Sequence, residues 1–256
     1  MPTVATILWH IELSHYNEKA RWALDFKGIP HELRTPLPGA HGAAALFLTR
    51  GAGRRLPIID LDGRRIGDST AIIAALEAYQ PEPALYPDDP DQRARALNLE
   101  DAFDERLGPH VRRFGWFHMI NDRDATVDAL MATASPRRRR FMRTLLPLAR
   151  PAVKLDYAVN AEAAAAAVIA IRAAMDRLEA DLGPSGYLVG DGFSVADLTA
   201  AALFTPLLAP AQRPYIPAAT PQPVLDLRAE LQARPGGAWV YEMYARHRGV
   251  SAAIAA

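Results

Sequence analysis

An α/β layer followed by an all-helical unit is the fold class that the sequence predicts. Strand-like and helix-like segments alternate over roughly the first 80 residues. A proline-rich stretch, Gln80 to Pro90, follows and holds Pro81, Pro83, Pro87 and Pro90. From Asp91 onward the segments are long and helical, with no convincing strand among them.

The elements follow in order. Residues 4–9 are a short apolar, β-favouring run. Residues 16–27 read as a helix, stopped by Gly28 with Pro30 beyond. A second strand is expected over 32–35 and a second helix over 43–49. Residues 57–61 make a third strand, and Asp62-Gly63 is a hairpin signal into Arg64-Arg65-Ile66. Ile72, Leu76 and Tyr79 fall on one face of a helix over 69–79. The order is β-α-β-α-β-β-α. Beyond the stiff linker, Asp89-Pro90 is an N-cap and first-turn pair for the next helix. Residues 161–182 carry an apolar stripe at Val168, Ile171, Met175, Leu178 and Leu182, with Gly183-Pro184 as the stop. Residues 194–209 form another apolar helix, kinked or ended near Pro206, and 225–231 and 239–246 are two more. Residues 251–256 read as a frayed tail. The expected division is residues 1–80, a linker over 81–90, and an all-helical domain over 91–250.

Composition removes several kinds of chemistry. The chain of 256 residues has 29 basic and 29 acidic side chains, so bulk charge favours neither nucleic acid nor a membrane as partner. No run of about eighteen apolar residues is present to span a bilayer. Met1-Pro2-Thr3 lacks the basic head of a secretory signal, so a cytoplasmic protein is expected. Cysteine is absent, which excludes disulfides, thiolate metal sites and a cysteine nucleophile from this chain. Any sulfur chemistry must use an imported thiol. No metal-ligand spacing links His110, His118 and His247, and no metal is expected.

Three short pieces of the first domain bear on function. Ser14 stands where the first strand's loop meets the first helix, in Leu13-Ser14-His15-Tyr16-Asn17-Glu18-Lys19-Ala20-Arg21. Free N–H groups and the helix dipole favour an anion there, while most serines so placed serve as caps. Leu56-Pro57 opens the third strand, where a proline cannot donate to the ladder. A cis bond would turn the Leu56 backbone outward as a docking edge. Gly67-Asp68-Ser69-Thr70 precedes a helix. It reads either as a plain cap or as a grip on a ligand that carries both an ammonium and a carboxylate.

In this order and spacing, Ser14, Leu56-Pro57 and Asp68-Ser69 resemble the thioredoxin-like domain of glutathione S-transferases of the serine type. A second stretch, Tyr187-Leu188-Val189-Gly190-Asp191-Gly192-Phe193-Ser194-Val195-Ala196-Asp197, is similar to the loop and capping box of the same family's helical domain. The resemblance covers residues 4–108 and 161–204. It implies a thioredoxin-like βαβαββα domain followed by a helical bundle, glutathione or a related thiol as co-substrate, a small-molecule electrophile, and a homodimer active in detoxification.

Carried over by position, the resemblance makes Ser14 the catalytic residue, donating to the thiol and stabilising its thiolate. A free thiol has a pKa of about 8.5, and lowering it by two units takes about 2.7 kcal/mol. A hydroxyl donor to a charged acceptor supplies roughly 1.5–3 kcal/mol, and a helix dipole up to about 1. Leu56, ahead of cis-Pro57, would pair its backbone with the cysteinyl moiety, and Asp68 and Ser69 would hold the γ-glutamyl end. His41 is the candidate for the glycyl carboxylate, with Arg54 and Arg55 as alternatives. The electrophile pocket is expected to draw on Trp9, His10, Glu12, Tyr16, Trp116 and Phe117. Asp68 stands where the family more often has Glu, and Thr49-Arg50-Gly51-Ala52-Gly53 replaces a common Asn-Pro loop. Residues 109–160 match nothing in the family pattern.

Other readings remain open at this level. The same scaffold supports a glutathione-dependent isomerase or lyase, or a non-catalytic thiol-binding or assembly protein. The run Arg137-Arg138-Arg139-Arg140 reads as a solvated helix face or dimer contact rather than a nucleic-acid patch, since no aromatic stacking motif flanks it.

Overall fold

A computed structural model describes residues 6–36, 40–131, 134–215, 217 and 219–254. Val4 and Ala5 of the expected first strand, the Met1-Pro2-Thr3 start, and Ala255-Ala256 of the expected tail lie outside them.

Strand β1 (Thr6–Trp9) leads through a short loop into helix α1 (His15–Phe26), then β2 (His31–Arg34) and α2 (His41–Leu48). The hairpin β3 (Ile58–Leu61) and β4 (Arg64–Gly67) precedes α3 (Ser69–Tyr79). Asp62 and Gly63 make its turn, both at positive φ (51° and 81°), as the Asp-Gly pair predicts. β1 and β2 run parallel, and β3 and β4 pair antiparallel to their neighbours. This is the expected βαβαββα order of a thioredoxin-like layer.

The sheet has a fifth strand that the sequence does not announce. Its order is β4-β3-β1-β2-β5, with β5 (Ala253–Ile254) parallel to β2. Residues 251–254 are therefore not a frayed tail. Buried Asp25 ties them down, its Oδ1 accepting from the Ala252 N–H at 2.7 Å and the Ser251 hydroxyl at 3.0 Å. Two paired residues are too short to give a period-2 signal.

The helical part comprises α4 (Pro90–Arg106), α5 (Gly108–Met119), α6 (Arg123–Leu130), α7 (Pro136–Asp156), α8 (Ala161–Asp181), α9 (Val195–Leu208), α10 (Gln222–Gln232) and α11 (Pro235–His247). Asp89 caps α4 by accepting from the N–H groups of Asp91 and Gln92, ahead of Pro90 in the first turn. Helix α9 runs two residues past Pro206 before ending at Ala209, which takes the left-handed conformation. Nearly every residue of α9 is buried, as its all-round apolar sequence requires. It packs against α1, α4, α5, α10 and α11 and so joins the sheet layer to the helices through one continuous core. The capping box at its start is in place: Asp197 accepts from the Ser194 N–H (2.9 Å) and hydroxyl (2.8 Å) and from the Leu188 N–H (2.8 Å). Burial nonetheless pushes its carboxyl up to about 6.

A smaller core forms under α5, α6 and α7 from Ile120, Val127, Met131, Met142, Leu146 and Val159. In the arginine run, Arg137, Arg138 and Arg140 are exposed at the start of α7, while nearby Arg143 reaches Asp124 and Asp128 at 2.8 Å each. Among the described residues no single helix is long and apolar enough to cross a membrane, and no group of three or more His, Asp or Glu is placed to hold a metal ion.

Candidate functional site

The site is built where the loop after β1 enters α1. Ser14 is the N-cap residue of α1, with φ −71° and ψ 128°. Its carbonyl accepts from the Glu18 N–H at 2.9 Å, but its hydroxyl makes no cap hydrogen bond. The usual employment of such a serine is therefore vacant, and the half-buried hydroxyl lies on the wall of a cavity of about 180 Å³.

Three buried side chains hold the loop that presents it. Asn17 accepts from the Ile11 N–H (3.1 Å) and donates to the Leu56 carbonyl (3.4 Å). Arg21 donates to the carbonyls of Ile11 (3.3 Å) and Glu12 (3.1 Å) and pairs with Glu18. Arg213, from the segment after α9, donates to the carbonyls of Leu13 (2.7 Å) and Thr205 (3.2 Å). Burial lowers the Arg213 guanidinium to about 10, which still leaves it charged at neutral pH.

His15 follows Ser14 and is buried. Its Nε2–H donates to the Gly108 carbonyl at 2.9 Å, and burial, with Arg112 and Arg213 nearby, lowers its pKa to about 3. It is a neutral strut, not a proton carrier. Tyr16 also lines the cavity, but its hydroxyl donates to the Asp104 carbonyl at 2.7 Å, and burial with nearby Asp104 raises its pKa far above the ordinary value. Gly108 permits this packing, because a Cβ there would lie 2.0 Å from the Tyr16 Oη.

The Leu56–Pro57 bond is cis, and Leu56 reaches the cavity wall beside Ser14. His41, at the start of α2, and Arg55 also line the cavity, whereas Arg54 does not. Asp68 is exposed and has left-handed φ, 73°. Its Oδ1 accepts from the N–H groups of Thr70 (3.0 Å) and Ala71 (3.1 Å), so it caps α3. Ser69 is buried in the first turn. Neither Asp68 nor Ser69 is on the cavity wall.

Of the six residues expected around the electrophile, the cavity lining takes in Tyr16 and Trp116 and leaves out four. Trp9 lies under the Arg34 guanidinium, 5.6 Å from the ring centroid. His10 is buried, and its Nδ1 accepts from Arg21 at 2.8 Å. Burial and Arg21 lower its pKa to about 3. Glu12 is buried in the loop. Phe117 packs on the small core of α5–α7, because neighbours on a helix point about 100° apart and Trp116 holds the cavity side.

The far wall comes from the part of the chain without a family counterpart. Val111, Arg112, Gly115, Trp116 and Met119 form a stripe on α5, and Met142, Leu146, Ala149 and Val153 form a second on α7. Both have i, i+4 and i, i+7 spacing, a signal present in the sequence. Trp116 and Tyr157 are stacked with centroids 6.1 Å apart and planes at 17°. Arg112, which the sequence reading passed over, sits over the ring of Tyr157 at 4.5 Å and that of Tyr16 at 5.8 Å. The site therefore joins a hydroxyl at a helix N-terminus to an apolar chamber.

The family model of the glutathione S-transferase N-terminal domain matches residues 8–84, and that of the C-terminal domain matches residues 161–231. The chain belongs to the glutathione S-transferase family. A relative, maleylacetoacetate isomerase of Rattus norvegicus, is 31% identical over 107 residues. That match takes in 40% of this chain and 49% of the relative, so the chain spans about half the length of the curated relatives it matches. Among solved structures, a glutathione transferase of Phanerochaete chrysosporium aligns with TM-score 0.63 and 20% identity over 96% of this chain and 98% of that one. A glutathione S-transferase of Methylobacterium radiotolerans, in complex with glutathione sulfonate, aligns with TM-score 0.53 and 22% identity over 92% and 93%. At these identities the two structures speak for the fold. The family assignment confirms what Ser14, Leu56-Pro57, Asp68-Ser69 and the Ser194–Asp197 box suggest in sequence.

Proposed function

We propose that this protein is an enzyme that binds glutathione, stabilises its thiolate with the Ser14 hydroxyl, and presents it to a small electrophile in the cavity between α1, α5 and α7. One observation carries the reading: the Ser14 hydroxyl is released from capping at a helix N-terminus and opens onto an apolar chamber. In that position the hydroxyl and the α1 dipole both favour an anion over a neutral thiol. The thiol proton leaves to water. The thiolate sulfur forms a bond to an electrophilic carbon, and that carbon's bond to its leaving group breaks. The protein contributes orientation, desolvation and charge stabilisation rather than a nucleophile of its own.

Leu56 with cis-Pro57 is the docking edge for the cysteinyl moiety. His41 and Arg55, both on the wall, are the candidates for the glycyl carboxylate, and the exclusion of Arg54 from the lining favours Arg55 of the two arginines. Asp68 spends only Oδ1 on the α3 cap among the described residues, which leaves Oδ2 for the γ-glutamyl ammonium, with Ser69 beside it. A dimer in the cytoplasm is the expected setting.

Calorimetric titration tests the thiol assignment. Glutathione is expected to bind with micromolar to millimolar affinity, and Ser14→Ala to weaken the thiolate form rather than the peptide contacts. Absence of heat from glutathione and from every other cellular thiol at millimolar concentration would contradict it. The match to maleylacetoacetate isomerase supports a second reading, a thiol-dependent isomerase at the same site. Thiol accounting separates the two, because an isomerase regenerates the thiol that a conjugating enzyme consumes.

A further inference from the structure

The charged side chains on the cavity wall are of one sign, Arg112 and Arg55. Buried His15 and half-buried His41, both lowered in pKa by burial, also line it, and among the described residues no Asp or Glu side chain does. Arg55 is exposed and has Asp156 at 4.0 Å. Arg112 is different. It is half-buried, its Nε is buried without a hydrogen-bond partner, and among the described residues its guanidinium makes no ion pair. Its neighbours are the faces of Tyr157 and Tyr16 and the apolar stripe of α5, with the Arg55–Asp156 pair close enough to act on its charge. Burial lowers its pKa without discharging it.

A guanidinium so placed gains cation–π energy from the two rings but leaves its buried Nε–H without an acceptor on the wall of an apolar chamber. An apolar side chain of similar volume would fill the same space without that desolvation cost. The planar fork matches a carboxylate, and in a low-dielectric pocket such a pair is strong. The chamber's volume, about 180 Å³, part of which borders the proposed thiol site, has room for at most about one ring, since a dry cavity of about 150 Å³ takes benzene.

We propose that Arg112 is a specificity residue that binds a carboxylate on the electrophile, so that the preferred second substrates are single-ring or comparably small apolar acids. This rests on the proposed thiol site in one respect: the carboxylate belongs to the second substrate and not to the thiol. Glutathione is itself a dicarboxylate, so the experiment must separate the two sources.

The test is calorimetric titration of the full chain, without thiol, with 4-nitrobenzoate and with 4-nitrobenzamide. These probes share a ring and differ in charge. The acid is expected to bind about tenfold or more tightly than the amide. In Arg112→Gln that preference should collapse to within about twofold, and in Arg112→Lys part of it should remain. Saturating glutathione should leave the acid's affinity within about threefold, because the two ligands occupy different parts of the site. Equal affinity of acid and amide in the wild type overturns the proposal and needs no variant. So does a preference that survives in a folded Arg112→Gln protein, or strict competition between glutathione and the acid. If glutathione itself does not bind, the thiol reading fails, while the acid–amide comparison still judges Arg112.

Discussion

Ser14 and His15 are neighbours with opposite fates, and the difference is set by what each side chain has to bond with. The Ser14 hydroxyl has no cap bond, whereas the His15 ring is buried and donates to Gly108. His10 and His15 both have pKa values lowered from 6.5 to about 3, burial being the larger cause. Below about pH 6.5 these two rings therefore bind more protons in the unfolded chain than in the native protein, while buried Asp197, raised to about 6, works the other way. The histidines' contribution is complete above that value and is lost as the pH falls. At about pH 5 each histidine is expected to have removed about 2 kcal/mol at about 1.36 per unit. In denaturant titrations from pH 7.5 to 5, His15→Gln, which keeps a donor for the Gly108 carbonyl, should lose about 2 kcal/mol less than the wild type, the His10 share remaining in both. Equal slopes in both proteins would contradict the assignment. Ser14 could be picked out from the sequence because its place between strand and helix is a matter of local chain order. The burial of His10 could not, because it depends on Arg21 and Thr35 closing over it.

At the scale of elements, α1 is held by buried ion pairs on two sides. Lys19 pairs with Glu100 at 2.7 Å and donates to Asp104 (2.6 Å), both on α4, and to Thr70 (3.0 Å) on α3. Burial raises the Glu100 carboxyl against the opposing pull of Lys19. On the other side Arg248 bridges Glu18 and Asp25 at 2.7 Å each. Burial pushes the Glu18 carboxyl up, but Arg248 and Arg21 together hold it below its ordinary range. Removing Arg248 leaves buried Asp25 without a paired cation among the described residues and Glu18 with Arg21 alone, so Arg248→Met is expected to cost about 3–5 kcal/mol in a chemical denaturation curve. A loss below about 1 kcal/mol would mean that the pairs are balanced by their own desolvation. Gly108→Ala should act through packing instead: the new Cβ meets the Tyr16 Oη, and cavity binding should weaken along with a lower Tm. The helices themselves are legible in sequence from their stripes and caps, as Asp89-Pro90 and Ser194–Asp197 illustrate. Their partners are not, since Lys19 and Glu100 lie 81 residues apart and carry no mutual signal in one sequence.

For the molecule as a whole, the division into an α/β layer and a helical bundle follows from periodicity, because the change from short to long segments at the prolines is a local property. Its closure does not. Strand β5 returns from beyond α11 to pair with β2, and the cavity needs walls from α1, α5 and α7 at once. A chain ending at Gly249 loses β5 and the bonds from Ser251 and Ala252 to Asp25, and is expected to be about 2–3 kcal/mol less stable, with each lost hydrogen bond worth about 1 kcal/mol. An unchanged unfolding midpoint would show that the strand adds nothing. The central claim, that a hydroxyl borrowed from helix capping activates an imported thiol, is tested most directly by the pH dependence of kcat/KM for glutathione with an aryl halide. In the wild type kcat/KM should rise through an apparent pKa near about 6.5, and in Ser14→Ala it should move toward about 8.5, the value of a free thiol. Near neutral pH the variant should be about 10- to 100-fold slower. The same pKa and rate in both proteins would contradict the account.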